Sequence, residues 1–86
     1  MDERRRKIQF RAWRRGFREL DLLMGSFADQ HLAELSEADI AEFERLLDVP
    51  DWDVYAWISG NKEAPENYNS SLLDRMKQFK YSAHPG

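Results

Sequence analysis

Arg14-Arg15-Gly16-Phe17-Arg18-Glu19-Leu20-Asp21 divides the chain into two unlike parts. Through Arg18 the sequence is strongly basic: Arg4, Arg5, Arg6, Lys7, Arg11, Arg14, Arg15 and Arg18 face only Asp2 and Glu3, a net charge of +6. The other 68 residues carry five basic and fourteen acidic side chains, a net −9. Inside the stretch, Gly16 separates two segments of helical character, and a carboxylate, Glu19, follows three residues later. A sharp charge boundary beside a helix break points to a binding surface with one electropositive side.

On the N-terminal side, the composition from Asp2 to about Arg14 predicts a helix. Its acidic residues come first and its arginines accumulate towards the end, which suits the helix dipole at both ends. Phe10, Trp13 and Phe17 fall at i, i+3, i+7 spacing and are read as a core-facing stripe, with Ile8 and Ala12 as a second apolar pair.

On the C-terminal side, Leu20, Leu23, Met24 and Phe27 repeat at helical spacing and predict a second helix to about His31, in spite of Gly25. Ser36 reads as the N-cap of a third helix, with Asp39 three residues on and Ile40, Phe43, Leu46 and Leu47 as its buried face. Val49-Pro50 ends it, because proline disfavours the α conformation in the residue before it. A fourth helix follows, with Asp51 or Asp53 near its start and Trp52, Tyr55, Ala56 and Ile58 expected to pack. Gly60-Asn61 closes it. Lys62 to Asn69 reads as a loop, and Ser70 or Ser71 caps a last helix bearing Leu72, Leu73, Met76 and Phe79. Residues 1–3 and 81–86 are expected to fray. No segment alternates long enough to predict a strand. The expectation is one all-α domain over residues 1–86, a compact small bundle of four to five short helices.

A chain of 86 residues builds one core. It has no cysteine, which excludes disulfides and thiolate metal sites and fits the cytosol. No apolar run approaches the roughly 20 residues that span a bilayer, and Asp2–Lys7 is followed by no signal-peptide core. A cytoplasmic protein without membrane insertion is expected.

Catalytic chemistry is not indicated. His31 and His84 stand alone, without partners at metal-ligand spacing, and no phosphate-binding or dinucleotide-binding glycine motif is present. Arg4-Arg5-Arg6-Lys7 could contact phosphates, but the acidic remainder and a sequence pI near 5.3 argue against nucleic acid as the partner. The Gly16–Glu19 spacing has two readings. It suits a glycine that ends one helix and caps the next, with Glu19 complementing the dipole. It equally suits a contact surface, and five residues do not separate the two.

The wider pattern resembles a known family. Arg14 to Asp21 contains the RGxxE signature of the succinate dehydrogenase FAD-assembly factors, the SdhE type, also described as YgfY-like. Leu22-Leu23-Met24-Gly25-Ser26-Phe27-Ala28, Phe43-x-Arg45-Leu46-Leu47, Asp51-x-Asp53, Trp57-Ile58 and Pro65 are similar to that family in the same order. The N-terminal basic run and the C-terminal tail depart from it. The resemblance implies a non-enzymatic maturation factor. Such a factor binds the flavoprotein subunit of succinate dehydrogenase, and in bacteria that of fumarate reductase, and promotes covalent attachment of FAD to it. With no nucleotide-binding motif in the chain, no stably bound cofactor is expected, the FAD being the client's, and a monomer when free is the simpler expectation. A cytoplasmic location follows, or the mitochondrial matrix for a eukaryotic counterpart.

The residues matching the motif are Arg15, Gly16 and Glu19. Arg11, Arg14, Arg18 and Asp21 complete the expected partner-binding set, the arginines from the charge split. Glu19→Ala and Gly16→Arg are both expected to spare the helices while lowering covalent flavin on the client. An inhibitory module of antitoxin type and a basic-helix nucleic-acid binder are the alternatives.

Overall fold

Asp2 starts the first helix: its backbone is extended and its carboxylate accepts the Arg5 N–H at 2.8 Å, the action of an N-cap. The computed structural model describes residues 1–79, so the tail 81–86 lies outside the described residues. The helices are α1 (Glu3–Ala12), α2 (Arg18–His31), α3 (Glu37–Leu47), α4 (Asp51–Ser59) and α5 (Ser71–Gln78). A 3-10 turn, Leu32–Glu34, joins α2 to α3, and another, Glu66–Tyr68, lies in the connection read as a loop. No strand occurs among the described residues.

The caps predicted at Ser36, Ser70 and Gly60 are in place. Ser36 Oγ accepts the Asp39 N–H at 3.1 Å, and Ser70, the first of the two candidate serines, accepts from Leu73 at 3.1 Å. Gly60 closes α4 in the left-handed conformation. Helix α1 packs on α2 and α3, and α5 closes against α2, α3 and α4. The core between them includes Leu20, Met24, Phe27, Ile40, Phe43, Leu46, Val54, Leu72 and Leu73, all essentially without solvent contact. Truncating Phe27 or Phe43 to alanine at such a site costs about 3–5 kcal/mol.

Two apolar stripes differ from expectation. Helix α1 ends at Ala12, not Arg14, and Phe17 is extended (φ −150°) beyond that end. The i, i+3, i+7 spacing of Phe10, Trp13 and Phe17 therefore never becomes one helix face. Ile8 and Ala12 carry the buried side instead, and Phe10 is 59% exposed. In α4 the buried stripe is Val54, Trp57 and Ile58, while Trp52 is 68% exposed. That helix is apolar around most of its circumference, so periodicity alone cannot choose the inward face.

Gly25 has a function of its own in the packing. Trp13, just past the end of α1, lies flat against it, and a β-carbon at position 25 would overlap the indole ring. The indole N–H of Trp13 donates to Asp29 Oδ1 at 3.2 Å, as does the Gln9 side-chain amide at 2.6 Å. Glycine at this point lets α1 and α2 approach closely.

Candidate functional site

The eight arginines and lysines of the N-terminal segment do two different jobs. Arg4, Arg11 and Arg15 repeat at i, i+7, i+11 and face α3 and the start of α4. Arg4 pairs with Glu44 (2.8 Å) and Glu37 (3.0 Å), Arg11 with Asp48 (2.9 Å), and Arg15 with Asp51 (2.8 Å). Arg5 reaches the carbonyl oxygens of Leu32 and Leu35 at 3.1 and 2.8 Å. Among the described residues Arg6 and Arg18 have no ion pair or side-chain hydrogen bond, and both are exposed.

Arg15 is the most enclosed of the set, its side chain 7% exposed. Beyond Asp51, its guanidinium donates to the carbonyls of Leu47 (2.5 Å) and Val49 (2.7 Å), groups left without helical partners where α3 stops. Burial pushes the guanidinium pKa down, and the nearby Asp51 carboxylate works against that. The Arg15 N–H donates to Asp21 Oδ1 at 2.5 Å. Arg15 and Asp21, both expected at a partner surface, thus spend these groups inside the chain, folding the turn between α1 and α2 over the end of α3.

Gly16 sits at the crest of that turn with φ +145°, a conformation L side chains rarely adopt. A β-carbon there would also overlap Asp51 Oδ2, on the carboxylate that holds Arg15. Neither expected cap geometry is observed: the C-cap of α1 is Trp13, and the N-cap of α2 is Phe17, with no side-chain cap bond. The glycine is required by the approach of the turn to α4.

That approach lays the starts of α2 and α4 side by side. Phe17 stacks on Trp52 with ring centroids 4.2 Å apart and planes 13° from parallel, and Tyr55 closes edge-on at 5.2 Å from Phe17. Glu19, in the first turn of α2, is exposed and makes no side-chain hydrogen bond among the described residues. Arg14 lies over the Phe10 ring, 3.7 Å from its centroid, and donates to the Phe10 carbonyl at 3.2 Å. The surface around Gly16 therefore presents bare backbone, a free carboxylate, exposed guanidinium groups and a rigid aromatic pair. Such a mixture suits contact with another protein: buried arginine and tryptophan anchors carry much of the energy at interfaces.

Residues 6–80 match the family described as flavinator of succinate dehydrogenase. The chain belongs to that family. It is 37% identical to the mitochondrial succinate dehydrogenase assembly factor 2 of Scheffersomyces stipitis over 81 residues, 91% of this chain and 54% of that protein. The zebrafish (Danio rerio) protein of the same name is 32% identical over 81 residues, 92% of this chain and 51% of its own. The one from Schizosaccharomyces pombe is 37% identical over 67 residues, 78% and 48%. The chain spans about half the length of the curated relatives it matches.

For a member of this family, the arrangement sorts the residues named from sequence. Gly16, Glu19, Arg14 and Arg18 are exposed, Arg15 and Asp21 are held together inside the turn, and Arg11 is tied to Asp48 and to the Leu47 carbonyl at 3.3 Å. Sequence reasoning missed two residues of the surface. Trp52 was assigned to the core, although its carboxylate neighbours Asp51 and Asp53 on either side signal an outward position. Asp51 was assigned to the start of α4, which is correct, but nothing in its spacing reveals that it faces Gly16.

Proposed function

We propose that this chain binds the flavoprotein subunit of succinate dehydrogenase and promotes covalent attachment of FAD to a histidine of that subunit, through the surface around Gly16 and Glu19. Fumarate reductase, whose flavoprotein subunit is the second client implied by the resemblance, is included. Membership of the flavinator family across residues 6–80 is the observation that carries the proposal. Glu19, a carboxylate left free beside a glycine crest, supports the choice of surface.

The chain supplies no reacting atom. The bond between the client's imidazole nitrogen and the 8α-methyl carbon of the client's flavin replaces a methyl C–H and the imidazole N–H. Both protons leave to solvent, and the electron pair reduces the flavin, which an external electron acceptor reoxidises. On this reading the factor is not an enzyme and holds no FAD of its own. Its contribution is to favour the arrangement in which the two groups meet, and orientation of that kind is worth up to about 7–11 kcal/mol. Gly16 lets the backbone approach the client without a side chain between. Glu19 takes a polar or basic group of the client near the flavin. Arg15, Asp21 and Asp51 fix the turn that presents them. The factor acts as a monomer and shares its client's compartment: the cytoplasm, or the mitochondrial matrix for a eukaryotic counterpart, the relatives being named as mitochondrial.

No helix among the described residues is long and apolar enough to cross a membrane. In-gel fluorescence of denatured flavoprotein from cells with and without this chain is the test. Covalent flavin should fall on its loss and return with wild-type protein but not with Glu19→Ala. Signal independent of the chain would end the proposal. Because Glu19 makes no side-chain hydrogen bond or ion pair among the described residues, Glu19→Ala should change stability by less than about 1 kcal/mol, as expected for a first-turn carboxylate.

A further inference from the structure

The inward pairing of Arg4, Arg5, Arg11 and Arg15 leaves a remainder on the opposite side of α1. Arg6, Lys7 and Phe10 share its outer face, spaced i, i+1, i+4, and Arg14, past the end of the helix, folds back over Phe10. Lys7 reaches only Glu3, at 3.8 Å between exposed groups, and Arg6 reaches no acid among the described residues. Phe10, 59% exposed, is the apolar centre of this face, with Arg14 stacked on one side. Glu3, Arg6, Lys7, Phe10 and Arg11 line a shallow apolar depression of about 320 Å³ alongside it. Through Arg14 the strip runs directly into the Gly16 turn.

We propose that this strip is a second contact region, which lands on an acidic surface of the same flavoprotein client and seats an apolar client side chain against Phe10. It rests on the function proposed above. Charge complementarity selects the occupant: three cations without strong internal partners surround an exposed ring, on a chain whose remainder is net negative. A bilayer is disfavoured because the apolar side of α1, Ile8 and Ala12, is already buried in the core. Nucleic acid is disfavoured because the acidic body behind the strip would be repelled by a phosphate backbone. A second copy of the chain would have to offer its acidic side, which in α3 is partly consumed by Arg4 and Arg11. Exposed cations of this kind act mainly on encounter rates, and the ring, once covered by the client, on lifetime.

The test is stopped-flow association of the full chain with purified flavoprotein subunit, from about 20 mM to about 0.5 M salt, where screening is nearly complete. Arg6→Gln/Lys7→Gln should lower the association rate constant by about fivefold to tenfold at the low end, with the difference gone at the high end. Phe10→Ala should raise the dissociation rate constant about tenfold at every salt concentration. Rate constants equal to wild type throughout would overturn this inference while leaving the proposed function intact. Absence of wild-type binding to the flavoprotein would overturn both. Salt-resistant binding of the strip to duplex DNA or to phosphatidylglycerol vesicles, or self-association lost in the double variant, would overturn it in favour of those partners.

Discussion

Replacing Gly16 by alanine tests the geometry of the turn. Two costs add. The first is backbone: a non-glycine residue held at φ +145° is strained by about 1–3 kcal/mol. The second is displacement of Asp51, whose carboxylate oxygen occupies the space the new β-carbon needs. Turning it away removes the 2.8 Å pair with Arg15 but leaves that guanidinium its two carbonyl acceptors. The loss is then about 1–2 kcal/mol, below that of a fully abandoned buried charge.

The sum, about 2–5 kcal/mol, is a large part of the stability of a domain this size. At about 4–8 °C per kcal/mol it should lower the melting temperature by about 8–40 °C. Thermal melts followed by helical circular dichroism measure it. Repeating the substitution in an Asp51→Ala background removes the clash and leaves only strain, so a double-mutant cycle should show about 1–2 kcal/mol of coupling. Equal losses in both backgrounds would refute the claim that glycine makes room for Asp51, and an unchanged melt would refute the strain. Gly16→Arg, expected from sequence to spare the fold, is for the same reason a poor probe of function. Glu19→Ala is the clean one.

Trp52→Ala removes an exposed ring stacked on Phe17. It should cost the fold no more than about 0.5–1.5 kcal/mol beyond lost area, yet weaken client binding at least tenfold by titration calorimetry, as an interface anchor would. Binding unchanged would place the aromatic pair outside the contact. Gly25→Ala should push the Trp13 indole off α2, lowering stability by about 1–3 kcal/mol with a red shift in tryptophan emission. A wild-type melt and spectrum would show that the helices part without cost.

Glu44 is held below the ordinary glutamate value by its hydrogen bonds from Arg4. Its depressed folded pKa contributes stability that is full above about pH 4.3 and is lost as pH falls through the folded value. The stability of Glu44→Gln in urea unfolding should therefore sit slightly below wild type at pH 7, by well under 1 kcal/mol for so exposed a pair, and converge with it as the pH falls through the folded value. A gap that persists in acid would assign the effect to packing.

The helices were legible because their signals are local. Ser36 and Ser70 cap through a hydroxyl three residues from its donor, and Leu20, Met24 and Phe27 repeat within one helix. The turn was legible as a place and illegible as a mechanism. Gly16 reads as a helix-ending glycine until Asp51, 35 positions later, is seen against it. Arg15 looks like any other arginine in a basic run, and only the stray carbonyls at the end of α3 draw it inward. Phe10 and Trp52 were misplaced for a shared reason. Spacing assigns a face only while the helix continues, and only when the helix has a polar side to contrast with it.

The arginine pairings of the N-terminal segment also bear on how the chain acquires its structure. Arg5 is bound to the Leu35 carbonyl 30 positions on, Arg15 to that of Val49 34 positions on, and Arg4 to Glu44 across 40. None of these acceptors exists while the first helix is being synthesised. At about 5–20 residues per second, α1 waits several seconds as a cationic segment before its anchors emerge. Closing those long loops is a slow entropic step compared with forming any single helix. The Gly16 turn is therefore assembled late: a nascent or truncated chain ending before Asp51 has the motif in its sequence but not the surface that the motif forms.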